Sequence, residues 1–201
     1  MKFMSKIYFE KYAQLTLGLT EFGNNFVLAD KPDLQDNNQD IGIEVVLVET
    51  KDEGIMRSVW NKYSGTGITS NEFMDKFKRS DFKRSVIPNC EYMAMDSRCG
   101  NAKDLIPEML AFIGRKNEKL KNYKRFKKNG VYLFNQHMFP EQIPELQNAI
   151  NYENFAFDFY IINLVNKLYV LSKDKIKAYN ISNKNITVFK QLATEYERAN
   201  Q

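Results

Sequence analysis

Apolar residues at Tyr8, Tyr12, Leu15, Leu19 and Phe22 recur at alternating four- and three-residue spacing, which predicts an amphipathic opening helix over Met4 to Phe22. Phe26 to Ala29 reads as a short strand, broken by Pro32 and the polar Gln35 to Gln39, and Ile41 to Val48 as a second, almost wholly apolar strand. Asp52 to Lys62 patterns as a helix, Tyr63 to Ser70 as a Gly- and hydroxyl-rich loop, and Asn71 to Arg79 as a further short helix. After a weakly patterned stretch through Cys99, a long helix carries Ile106, Met109, Leu110, Ile113, Leu120 and Tyr123 on one side, with Gly130 as its expected end. Val131 to Phe134 is a strand, Pro140 to Ile150 a helix, and Phe157 to Asn163 with Lys167 to Ser172 a hairpin turning near Asn166. A helix near Ile186 to Arg198 closes the pattern, which shows no repeat or linker and so predicts one α/β domain over residues 1–201, a mixed central sheet flanked by helices.

Composition narrows the class. A chain of 201 residues with 43% hydrophobic and 13% aromatic content carries enough apolar side chains for a real core. The longest apolar stretch, Phe157 to Val165, is interrupted by Asp158 and is far too short to span a membrane, and Met1 to Tyr12 has no signal-peptide core. A cytoplasmic protein is expected. Cys90 and Cys99, with eight residues between them, match neither a zinc spacing nor a disulfide framework and are expected as reduced thiols. A net charge of +4 is compatible with a polyanion partner without requiring one.

Glu44 sits between Ile43 and Val45 in a strand whose apolar continuity implies burial, where a carboxylate needs a partner. Asp33 precedes the turn that returns into that strand, so a hairpin brings the two acids together, and like charges at close range call for a cation between them. Asp33, Glu44, the Val45 backbone carbonyl and waters suit Mg²⁺, which takes hard oxygen ligands and keeps several waters. The rival reading gives Asp33 a role in the turn after Pro32 only, and Glu44 a buried salt bridge with Arg57.

The segment Lys31-Pro32-Asp33-Leu34, followed ten residues after Asp33 by Ile43-Glu44-Val45-Val46, resembles the PD-(D/E)xK, or restriction-endonuclease-like, nuclease superfamily over about the first 65 residues. The resemblance implies a restriction-endonuclease-like fold and Mg²⁺-dependent phosphodiester hydrolysis in DNA or RNA, by an endonuclease or exonuclease. Asp33 and Glu44 are then metal ligands, and Glu10 on the opening helix is the third carboxylate, with Glu21 a weaker choice. Val46 stands where the family has its catalytic lysine, which leaves Lys51, then Lys31, as candidates for a relocated one. The alternative implied by Val46 is a catalytically inactive nuclease-fold protein that binds nucleic acid or a partner protein.

Between Arg115 and Lys128 lie eight basic residues and one acid, Glu118. Lys116, Lys119, Lys124, Arg125 and Lys127 are the expected phosphate contacts, interleaved with Tyr123 and Phe126; a solvated helix face is the alternative. A thiol-protease set of Cys90 or Cys99 with His137 and Asp158 has no supporting signature, and neither a GxxxxGK[ST] loop nor a GxSxG elbow occurs. Asp158, Trp60 and Tyr63 read as structural.

Overall fold

The structure, a computed structural model, describes residues 6–49, 67, 69, 71–72, 102–135, 138–164, 166–181, 187–188, 190–192 and 194–195. The chain divides into two compact units, Met1–Val48 with Asn101–Gln201, and Glu49–Gly100.

In the first unit, helix α1 (Lys6–Leu17) buries Tyr8, Phe9, Tyr12, Ala13, Thr16 and Leu17, while Leu15 and Leu19 pack at its margin. The helix stops short of Phe22 because Gly18 admits the Asn24 side chain into the space a Cβ would fill, and the Leu19 and Thr20 N–H groups close turns onto Thr16 and Leu17. Phe22 still joins the core, stacked on Phe159 at 4.9 Å.

Seven strands, β1 (Val27–Leu28), β2 (Leu34–Asp36), β3 (Ile41–Leu47), β4 (Lys128–Phe134), β5 (Phe159–Leu164), β6 (Lys167–Ser172) and β7 (Lys175–Asn180), lie side by side in chain order. β3, β4 and β5 are parallel and buried on both faces; β1 and β2 add an antiparallel edge on one side, β6 and β7 on the other. Helices α2 (Ala102–Leu120) and α3 (Ile143–Glu153) cover the face opposite α1. Strict alternation sorts the central strands: Ile43, Val45, Tyr132 and Phe134 face α1, and Val46, Val131 and Leu133 face α2 and α3.

The mixed sheet flanked by helices agrees with the sequence pattern, as does the β5–β6 hairpin. Three expectations are corrected. Leu34–Asp36 is a strand, not part of the turn, because buried Leu34 pairs with Ile43. The long helix ends at Leu120, where the Asn122 and Tyr123 N–H groups turn back onto Lys119 and Leu120; Gly130 belongs to β4, where the Phe159 ring occupies the place of a side chain. β7 was invisible in the pattern because nearly all of it is exposed and its lysines give no apolar alternation.

In the second unit, the Thr69 and Glu72 side chains each accept the other's backbone N–H, a capping box at the start of the helix expected at Asn71. Near the end of the chain, Val188 and Leu192 are helical and buried, as the closing pattern requires.

Gly42 is the close-packing position nearest the carboxylates. A Cβ there meets Phe126 at 2.6 Å and the Pro32 ring at 2.7 Å. Gly42→Ala is expected to lower unfolding free energy by about 1–3 kcal/mol in urea titration, as overpacking does. An unchanged midpoint would mean that both rings yield freely.

Candidate functional site

Asp33 is the residue just before β2. Continuing the register Leu34↔Ile43 by one step sets it opposite Glu44, where facing side chains of an antiparallel pair share one face of the sheet. Ladder pairing of β2 with β3 stops at Leu34, and the Asp33 side chain takes over: its Oδ2 accepts the Val45 N–H at 2.9 Å. Its Oδ1 accepts from the Lys6 ammonium at 2.8 Å. The loop before it is held by the Ala29 N–H donating to the Asp33 carbonyl, and Lys31 there has a left-handed φ of 59°.

Lys6 also pairs with Glu10, one turn along α1, at 3.1 Å. Burial opposes the charged Lys6, but hydrogen bonds to Asp33 and Glu10 outweigh it and raise its pKa above the ordinary lysine value. Glu10 is shifted upward, first by burial, then against the pull of Lys6 by the charge of Asp33 and a hydrogen bond with it. Glu44 is likewise raised, by burial first and the Asp33 charge second, while Lys116 and Lys6 hold it down. Lys116 reaches Glu44 from α2 and forms an ion pair with it. Burial and Glu44 raise the Tyr123 hydroxyl, which puts Tyr123 in the field of the same cluster.

Glu10, Asp33 and Glu44 thus share one electrostatic field with Lys6 and Lys116, three carboxylates against two ammoniums. Asp33 and Glu44 are each 2% exposed, so the surplus negative charge is held largely out of water. Asp33 and Glu44 stand in one field, as the hairpin reading expected, and Asp33 does more than serve a turn; Glu44 makes the buried salt bridge of the rival reading, with Lys116 as its partner. Val46 is core, packed among the α2-side residues.

Asp33, just before β2, and Glu44 on β3 offer the carboxylate oxygens that a hard divalent cation takes, while the Val45 N–H there is donated to Asp33. Among the described residues, no three His, Cys, Asp or Glu side chains converge as a ready metal cage. Two carboxylates and waters suffice for Mg²⁺, and the positive charge now on them comes from the two lysines. Glu21 lies outside the cluster and pairs with Lys177.

The basic run divides in two. Lys116 turns inward, whereas Lys119, Lys121, Lys124, Arg125, Lys127 and Lys128 are exposed, most of them in the loop between α2 and β4. That loop is pinned by buried Phe126, by Lys124 donating to Asn37 at 2.7 Å, and by the Lys128 N–H donating to the Asp40 carbonyl. Asp158 is structural: it is exposed and accepts the Asn129 N–H at 2.7 Å.

Lys6 and the inward role of Lys116 were missed by sequence reasoning. The i,i+4 spacing of Lys6 and Glu10 was the available signal for the first; for the second there was none, since 72 positions separate Lys116 from Glu44. Lys51, Arg57, Trp60, Tyr63, Cys90, Cys99 and His137 lie outside the described residues. No protein family, curated protein or solved structure matches the chain.

The raised Glu44 pKa carries a signed consequence. Between the ordinary carboxylate pKa and the raised one, the folded chain binds more protons than the unfolded chain, so this contribution to stability is present at low pH and is lost as pH rises through the raised value. Glu44→Gln lacks the term. Its stability relative to the unsubstituted chain, followed by denaturant titration from about pH 4 to about pH 8, is expected to improve as pH rises. A pH-independent difference would show that Glu44 titrates alike in both states.

Proposed function

We propose that the chain is a nuclease-like protein that hydrolyses phosphodiester bonds in DNA or RNA with Mg²⁺. The observation that carries this reading is the arrival of Glu10, Asp33, Glu44 and Lys116 in one electrostatic cluster from four separate segments, α1, the start of β2, β3 and α2. The PD-(D/E)xK resemblance implies a helix, a strand bearing the Asp, and a next strand bearing the Glu with a helix after it; here α1, the short β1, Asp33 just before β2, and Glu44 in β3 follow one another. Asp33 and Glu44, joined by Glu10 and the Val45 carbonyl, would hold the ion. When bound, Mg²⁺ supplies Lewis acidity toward a phosphate oxygen and a lowered pKa for water.

The chain's own residues do the rest. Lys116 stands on the face of β3 that Val46 also occupies, and its ammonium takes the part left without an owner at Val46, neutralising charge that develops on the phosphoryl oxygens. The exposed basic loop from Lys121 to Lys128 supplies sequence-independent backbone contacts. A second reading, a structural or regulatory protein unrelated to nucleases or an inactive nuclease-fold protein that binds nucleic acid or a partner protein, is favoured by one observation: Asp33 and Glu44 each already carry an ammonium partner from the chain.

Purified chain incubated with plasmid, linear and single-stranded DNA and with RNA, in Mg²⁺ or Mn²⁺, is expected to cleave at least one substrate. Asp33→Ala and Glu44→Ala are expected to abolish cleavage, and Lys116→Met to slow it about a hundredfold with binding retained. No cleavage by folded chain under any condition, with nucleic-acid binding intact, would select the second reading. Reversing Lys124, Arg125 and Lys127 to Glu is expected to weaken binding alike across sequences and to flatten its salt dependence, measured by fluorescence anisotropy.

A further inference from the structure

The two cations of the cluster are not equivalent. The Lys116 side chain is 23% exposed, whereas that of Lys6, though bonded to Asp33 and Glu10, is 68% exposed. Asp33 Oδ2 is committed to the Val45 N–H, so Oδ1 is the oxygen that faces a cation, and Lys6 holds it.

We infer that Lys6 is a tethered counter-cation that occupies the divalent-ion position on Asp33 and Glu10, so that the ion binds by exchange with it. This rests on the metal-site reading above and extends it to how the site is regulated. An ammonium at 2.8 Å from Oδ1 and a divalent ion on the same oxygen repel each other and compete for its lone pairs. Lys6 leaves without disturbing the packing, because its long stem already lies in water, and what it gives up is its bonds to Asp33 and Glu10. Asp33, 2% exposed, loses much if it is left bare, so the cluster keeps Lys6 until a replacement charge arrives. The same departure releases Glu10 from its ion pair, because one ammonium serves both carboxylates.

The test is calorimetric titration of MgCl₂ and of MnCl₂ into the full chain and into Lys6→Gln, Lys6→Arg and Asp33→Asn, with thermal melts in the presence and absence of the ion. Lys6→Gln is expected to bind the ion about tenfold more tightly, and the ion to raise its melting temperature more than that of the unsubstituted chain. Lys6→Arg, which keeps the charge, should behave like the unsubstituted chain, and Asp33→Asn should not bind. A Lys6→Gln chain that is unfolded without ion and folds with it also supports the exchange; one that stays unfolded in saturating ion overturns it. Equal or weaker binding by Lys6→Gln, with binding still lost in Asp33→Asn, overturns the counter-cation role and leaves the metal site standing. No ion binding by any chain, or binding untouched by Asp33→Asn, overturns both.

Discussion

The Asp33 carboxylate holds the candidate site together. β2 is only three residues long, and its ladder with β3 runs out at Leu34. The Val45 N–H on that edge then needs an acceptor, because an unpaired buried donor costs about 1–3 kcal/mol, and Asp33 provides it with one oxygen while turning the other to Lys6. A single side chain therefore joins the first helix, the loop before β2 and the middle of β3. Burial first, and the charge of Asp33 after it, raises Glu10 and Glu44, so the side chain that makes the tie also shapes the electrostatics of the cluster.

What was legible in the sequence follows from how local each signal is. Ile41–Leu47 announces itself as a buried strand, and an acid inside such a run must be paired, so Glu44 and its neighbour across the turn, Asp33, were found. Leu34–Asp36 escaped because its only strong apolar residue, Leu34, earns its place through a partner nine positions on, Ile43. The end of α2 escaped because lysine is a good helix former and gave no stop signal; the chain leaves the helix at Leu120 to bury Phe126, a tertiary gain that propensity does not encode. Lys116 looked like its exposed neighbours because only the fold turns it toward Glu44.

Fold stability does not by itself account for the cluster. Replacing a buried ion pair by apolar side chains of similar volume is often neutral or stabilising, while removing one partner costs about 3–5 kcal/mol. Sheet faces as apolar as those of β3 and β4 would accept such replacements readily. Instead three acids stand there with two lysines, and burial first, then the charge of Asp33, shifts Glu44 in the direction that disfavours its charged form.

The segment that carries Lys116 also decides how a charged ligand would approach. Lys116 points inward one turn before α2 ends, and the chain then runs at once into the exposed basic loop. Phe126 returns that loop to the sheet over Gly42, two residues from Glu44 and on the same face of β3. Outer lysines and inner carboxylates are therefore fixed to one strand through one aromatic anchor. A polyanion drawn to the loop by long-range attraction would be repelled by the carboxylates unless a cation sits there. In the proposed reading a cation held by Asp33 and Glu44 would cancel that repulsion, and the basic loop would hold the phosphate backbone beside it.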